Sequence, residues 1–136
     1  PPANASLRLW DIQNGNMLQI MQPQVLVNWQ CAISPDGRWV VSGSEDCTAR
    51  VWEAASGIEV ARMKHDDWVE TATFSPDGRW VVSGSEDGTA RVWMWHVEDL
   101  IAEACRRLPR NLTEAEWAQY FPSEAYRLTC PELGVP

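Results

Sequence analysis

Residues 75–93 read SPDGRWVVSGSEDGTARVW, and residues 34–52 read SPDGRWVVSGSEDCTARVW. The two stretches differ only where Cys47 stands for Gly88, and they are offset by 41 positions. Upstream, Leu7-Arg8-Leu9-Trp10 takes the place of Ala49-Arg50-Val51-Trp52 as a looser third copy. Self-similarity at a fixed period means stacked copies of one unit, each too small to bury its own apolar face alone.

Within one copy, Ser75-Pro76-Asp77-Gly78 is turn chemistry: proline suits the second position of a type I turn and glycine the fourth. Arg79 to Gly84 is rich in β-branched and aromatic residues. Glu86-Asp87-Gly88 then reverses the chain into Thr89-Ala90-Arg91-Val92-Trp93, which alternates with period 2. After Trp52, Glu53-Ala54-Ala55-Ser56-Gly57 forms a loop, Ile58 to Met63 a fourth strand on the outer edge, and His65-Asp66-Asp67 leads inward again. If the turn position held by Cys47 and Gly88 is left-handed, the cysteine there costs roughly 1 to 2 kcal/mol.

A repeat of ~40 to 45 residues with a tryptophan closing one strand is the spacing of a four-stranded propeller blade. On these residues, roughly Leu7 to Trp95 resembles WD40 repeats, in particular the near-identical kind that bacteria carry in long arrays. The resemblance implies an all-β fold of propeller blades. It also implies a hydrogen-bonded tetrad in each blade, here His65, Ser83, Asp87 and Trp93. The blade ending on Trp52 supplies Ser42, Asp46 and Trp52, but Gln24 or its neighbours stand where the histidine is expected, so that tetrad is incomplete.

Strand phase sets the organisation. The chain opens on the third strand of a blade near Arg8 to Asp11 and adds its fourth at Asn16 to Met21. One whole blade follows from about Val27 to Met63, then three strands ending near Trp95, giving about nine strands. A propeller closes with ~4 to 8 blades of four strands, so residues 1–96 are expected to hold one complete and two partial blades of a larger propeller. Identical copies joined head to tail would be out of phase by one strand.

Past Trp95 the period becomes helical. Val97, Leu100, Ile101, Ala104 and Leu108 mark one face of a helix that Pro109 ends. Thr113 and Glu116 then form a capping box, with Leu112 and Trp117 at the spacing of a hydrophobic staple. Residues 97–136 are thus expected to be a short α-helical extension packing on the propeller. This tail is similar to the end of bacterial multidomain proteins in which a WD-repeat sensor follows a signalling NTPase or protease-like effector.

Composition excludes other functions. The net charge of −8 divides into −5 for residues 1–96, with seven Lys/Arg against twelve Asp/Glu, and −3 for residues 97–136, with four against seven. With a single lysine, the chain has neither the phosphate-neutralising patch of a nucleic-acid binder nor a polybasic membrane footprint. No apolar run approaches the ~18 residues of a membrane span, and a cytoplasmic protein is expected. His65, Ser83 and Asp87 are also the residue types of a hydrolase triad, but no G-x-S-x-G elbow surrounds Ser83. The structural tetrad is therefore preferred, with no catalytic residue, cofactor or metal. Cys105 and Cys130, with His96 nearby, match no zinc-ligand spacing. They are expected as buried free thiols, with a disulfide as the alternative.

What remains is a non-catalytic sensor or interaction module whose partner is a protein or the remaining blades of a larger propeller. The alternative is the regulatory portion of a multidomain enzyme whose NTPase or caspase-like domain lies elsewhere. Asp66, Asp67 and Trp68 follow the tetrad histidine and are expected at the partner-facing surface. Val25-Leu26-Val27 and Trp29 occupy the corresponding segment of the preceding blade, and its divergence reads either as a partner-contact site that includes Trp29 or, in preference, as a degenerate blade.

Overall fold

The structure, a computed structural model, describes residues 6–21 and 28–133, the side chains of residues 28 and 29 excepted. The chain divides into two compact units, Pro1–Trp95 and His96–Pro136.

Among the described residues the first unit carries nine strands in three antiparallel sheets. A hairpin of β1 (Leu7–Trp10) and β2 (Met17–Met21) precedes a four-stranded sheet. That sheet comprises β3 (Asn28–Ile33), β4 (Trp39–Ser44), β5 (Thr48–Glu53) and β6 (Glu59–Lys64). A three-stranded sheet of β7 (Val69–Phe74), β8 (Trp80–Ser85) and β9 (Ala90–Met94) follows. The strand phase read from the repeat is therefore the observed one. At each Ser-Pro-Asp-Gly turn the glycine amide bonds to the serine carbonyl, Gly37 to Ser34 and Gly78 to Ser75, both at 2.9 Å. Gly37 and Gly78 both sit at φ +73°, a conformation that costs glycine nothing.

The three sheets stack face to face. Val40 and Trp52 pack with Met21 against the β1–β2 hairpin. Val41, Ala49 and Val51, on the opposite face of the same sheet, join Val69, Ala72, Phe74 and Val81 of the last sheet. Fully burying a valine contributes about 1.5 to 3 kcal/mol, so the face carrying Val41 and Val51 is a large part of what holds the sheets together. Gly43 permits the approach: a Cβ on it would lie 2.6 Å from the Val69 carbonyl oxygen, which is backbone and cannot give way.

Near-identical sequence meets different surroundings in the two copies. Val41 and Val51 are both 0% exposed, whereas their counterparts Val82 and Val92 are 37% and 63% exposed. The first pair lies under the following sheet. Among the described residues no sheet covers the second.

Cys47 has φ +64° and Gly88 φ +81°, so the turn position is left-handed in both copies and the cysteine carries the strain. Replacing Cys47 with glycine is expected to stabilise the unit by about 1 kcal/mol. A domain of this size would then melt several degrees higher, and an unchanged melting temperature would mean that the turn accommodates the cysteine without cost.

The second unit holds α1 (Val97–Arg107), α2 (Glu114–Tyr120) and a 3-10 turn, Pro131–Leu133. Glu98 and Asp99 in the first turn of α1, and Arg106 and Arg107 in its last, complement the helix dipole. No residue of α1 is buried: of the predicted apolar stripe, Val97, Leu100, Ile101 and Ala104 lie in the helix and Leu108 caps it, all exposed. The capping box of α2 is present: the Glu116 amide donates to Thr113 Oγ1 at 3.3 Å and the Thr113 amide to Glu116 Oε2 at 2.9 Å. Arg110 grips the Glu116 carboxylate with two bonds of 2.8 Å. That guanidinium first, and then the Thr113 amide, hold the Glu116 carboxyl down to about 2.

Only a small core supports this unit. Trp117 packs its ring against Phe121 at 4.7 Å and Tyr126 at 6.0 Å. The buried Asn111 exchanges two bonds with the backbone of Cys130: its Nδ2 donates to the carbonyl at 2.8 Å and its Oδ1 accepts the amide at 2.9 Å. Cys105 and Cys130 form a disulfide across 25 residues. This corrects the expectation of buried free thiols and removes both sulfurs as metal ligands. The physical reason is placement: the Asn111 bonds hold Cys130 beside α1, bringing the two Cα atoms to 5.4 Å, within the range a disulfide spans.

Candidate functional site: a buried Trp–Ser–His–Asp network and the 66–68 loop

Residues of the last sheet and of the segment that leads into it converge on one buried cluster. His65 follows β6, Ser83 lies in β8, Asp87 in the turn after it, and Trp93 in β9. Trp93 Nε1–H donates to Ser83 Oγ at 2.7 Å, and His65 Nε2 lies 2.7 Å from the same oxygen. His65 Nδ1 lies 3.1 Å from Asp87 Oδ2. The arrangement in which every group is satisfied has the proton on Nδ1, donated to the carboxylate. Nε2 is then left bare to accept the serine hydroxyl, whose oxygen accepts the indole N–H. The His65 and Trp93 rings also meet edge to face at 5.7 Å.

Asp87 anchors far more than His65. Its Oδ1 accepts the Thr89 hydroxyl at 2.5 Å and the Thr89 amide at 2.8 Å. Its Oδ2 accepts the Asp66 amide at 3.1 Å and an Arg91 N–H at 3.2 Å. The Thr89 hydroxyl, followed by the Asp66 and Thr89 amides and His65, pulls the Asp87 carboxyl well below the ordinary carboxylate range against the cost of burial. The carboxylate thus ties the β8–β9 turn to the segment entering the sheet.

The preceding sheet keeps half of this. Trp52 Nε1–H donates to Ser42 Oγ at 3.0 Å. The Asp46 carboxylate accepts the Thr48 hydroxyl at 2.5 Å, the Thr48 amide at 3.1 Å and a guanidinium N–H of Arg50. Gln24, where the histidine is expected, lies outside the described residues. Arg50 has a side chain only 4% exposed, while its counterpart Arg91 is 33% exposed and reaches Asp66 at 2.8 Å and the Lys64 carbonyl at 3.0 Å. The sequence reading passed over these arginines and the two threonines. Their signal was present: an Asp-x-Thr-x-Arg spacing in both copies, with a charge in an otherwise small and apolar strand.

Chemically the cluster is closed. Ser83 and His65 are both 0% exposed, and the serine oxygen is already engaged by the Trp93 indole. A nucleophile needs an open approach to its substrate, which this serine lacks. The network satisfies buried polar groups that would each cost about 1 to 3 kcal/mol if left alone.

The adjoining loop is pinned in the backbone and open in its side chains. The Asp66 amide is held by Asp87, the Asp67 carbonyl accepts the Ser85 hydroxyl at 3.0 Å, and the Trp68 carbonyl accepts the Glu86 amide at 2.9 Å. The Asp66 side chain is nonetheless 82% exposed and Trp68 is 40% exposed. Trp29 lies in β3, and its side chain is outside the described residues.

A four-stranded antiparallel sheet packed against a three-stranded one of the same order, each tied by an indole-to-serine bond between its second and third strands, defines a β-propeller repeat protein. The sequence profile of the WD domain, G-beta repeat, matches residues 23–53 and 58–94, and the chain belongs to the WD40 family. Repeats of this family are non-catalytic modules that mediate protein–protein interaction. The nuclear distribution protein nudF of Aspergillus niger is 35% identical over 74 residues, 52% of this chain and 16% of that protein. The nudF of Emericella nidulans is 31% identical over the same shares. Ribosome biogenesis protein bop1-A of Xenopus laevis is 54% identical over 26 residues, 19% of this chain and 4% of that protein. These relatives are eukaryotic, and the chain spans 16% of the length of the two nudF proteins. Among the described residues, no helix is long and apolar enough to cross a membrane.

Proposed function

We propose that this chain is a rigid protein-binding platform with no chemistry of its own, and that the Asp66-Asp67-Trp68 loop is its partner contact. The observation that carries the reading is the loop itself, held at three consecutive residues by hydrogen bonds to the β8–β9 turn while Asp66 and Trp68 stay exposed. A preordered loop avoids the ordering cost that weakens association. Tryptophan supplies hot-spot area, and the carboxylates act on association rate and salt dependence. The fitting partner is basic or polar.

The platform is part of a larger propeller, a reading supported by the exposure of Val82 and Val92 where Val41 and Val51 lie buried under the next sheet. The near-identity of the two copies supports an array of the bacterial type. The similarity of the tail supports a multidomain signalling protein of the cytoplasm.

The test is a pulldown from the source cells combined with melting curves. Trp68→Ala is expected to weaken capture by about 2 kcal/mol, roughly thirtyfold, with melting unchanged. Asp66→Asn with Asp67→Asn should slow association and flatten its salt dependence. A drop in melting temperature that parallels the loss of capture would instead make Trp68 a cap of the blade.

A further inference from the structure

The second unit carries a redox-active group that a binding platform does not need, the bridge between Cys105 and Cys130. Its two ends are unequally placed. Cys130 is 1% exposed, and its amide and carbonyl are both taken by the buried Asn111 side chain. Cys105 is only half-buried, on a helix none of whose residues is buried. One sulfur is therefore fixed inside the unit, and the other can be reached from its surface.

A groove leads to the bridge. It is lined by Ile101, Ala102 and Cys105 from α1 and by Cys130, Pro131 and Leu133 from the segment that ends the unit, around a space of about 730 Å³. That lies within the ~300 to 1,000 Å³ of clefts that admit small molecules. Access to a disulfide sulfur, and which of the two is reached, governs exchange with a thiol. Here the groove and the unequal burial both select Cys105.

We infer that the bridge is a thiol–disulfide exchange site that small thiols enter at Cys105. The thiolate attacks the Cys105 sulfur and forms a new S–S bond there. The Cys105–Cys130 bond breaks, and Cys130 leaves with the electron pair and takes up the proton that the attacking thiol gave away. The product is a mixed disulfide on Cys105 and a free thiol on Cys130, whose backbone the Asn111 bonds hold. Return attack by Cys130 on Cys105 re-forms the bridge and expels the small thiol, so the modification is reversible. A second small thiol instead completes the reduction, leaving as a disulfide with the first and giving two protein thiols. The modified residue is thus Cys105, its reactants are small thiols and their disulfides, and the state of the pair follows the ratio of the two. This inference depends neither on the 66–68 loop nor on the compartment proposed for the chain.

The test incubates the oxidised 136-residue chain with mercaptoethanol, a neutral monothiol that the charges of Glu98, Arg106 and Glu132 at the groove do not steer. Samples quenched in acid at early times are mapped by peptide mass. The mixed disulfide is expected on Cys105 in at least about tenfold excess over Cys130, because access governs which sulfur is attacked. Cys31 and Cys47 are free thiols already and take nothing from a reduced reagent. In concentrated urea the preference should fall to within about twofold, since unfolding exposes both sulfurs. The protein is unaltered in every arm, so misfolding of a variant does not enter. A bridge that resists the thiol until urea is added would overturn the inference, because the groove would then be sealed. Equal attack on both sulfurs of the folded chain would overturn it too, and so would a preference for Cys105 that survives urea, which would come from local sequence and not from the fold.

Discussion

His65→Ala is expected to destabilise the first unit by about 3 kcal/mol or more, with the loss concentrated in the β7–β9 sheet. The substitution leaves the Ser83 hydroxyl without its acceptor and removes one donor from the buried Asp87 carboxylate. Each unpaired buried group costs about 1 to 3 kcal/mol, and the vacated ring leaves a cavity whose cost adds to this. The Asp87 anion keeps the Thr89 amide and hydroxyl, the Asp66 amide and Arg91, so the turn should loosen without inverting. Chemical denaturation measures the size of the effect. Hydrogen exchange at the Trp93 indole N–H, now bonded to a serine with a free hydroxyl, locates it. Loss of less than about 0.5 kcal/mol would mean that the four groups do not depend on one another.

Cys105→Ser is expected to melt the second unit while leaving the first intact. The bridge closes a loop of 25 residues, for which chain entropy gives about 3.5 kcal/mol. The unit, residues 96–136, buries little beyond Trp117, Cys130 and Asn111. Domains near this size stand at the limit of what a core alone can hold together. Far-ultraviolet circular dichroism should lose the helical contribution of α1 and α2, and a dithiol reductant should reproduce the change in the unaltered protein by taking up the bridge as its own disulfide. Equal helix content in reduced and oxidised protein would show that the Asn111 and Trp117 contacts suffice. Cytosolic thiols are ordinarily kept reduced, so this measurement also bears directly on the compartment proposed for the chain.

The parts of the fold legible in the sequence are those encoded by local pattern. The turn residues at Ser75-Pro76-Asp77-Gly78 and the period-2 alternation of the repeat placed the strands within a residue or two. Thr113 and Glu116 announced the start of α2. The tetrad was readable because the family resemblance placed His65, Ser83, Asp87 and Trp93 at recurring positions, and the structure brings all four together. What escaped is what depends on neighbours. Nothing local distinguishes Arg50 from Arg91, or Val51 from Val92, because their surroundings are set by whether another sheet lies on top. The role of Gly43 is equally invisible, since it answers to the Val69 carbonyl of the next sheet. The pairing of Cys105 with Cys130 goes with the Asn111 bonds that fix the backbone of Cys130, a long-range fact that spacing does not contain. The left-handed turn at Cys47 was legible only because its counterpart is glycine.

The central claim is that Trp93, Ser83, His65 and Asp87 hold a blade together and that the protein acts by binding. Treatment of the purified 136-residue chain with a fluorophosphonate, followed by peptide mass mapping, tests it most directly. Ser83 is expected to remain unmodified while the fold is intact. A covalent adduct on Ser83 that disappears in His65→Ala would show an activated, accessible nucleophile and contradict the account.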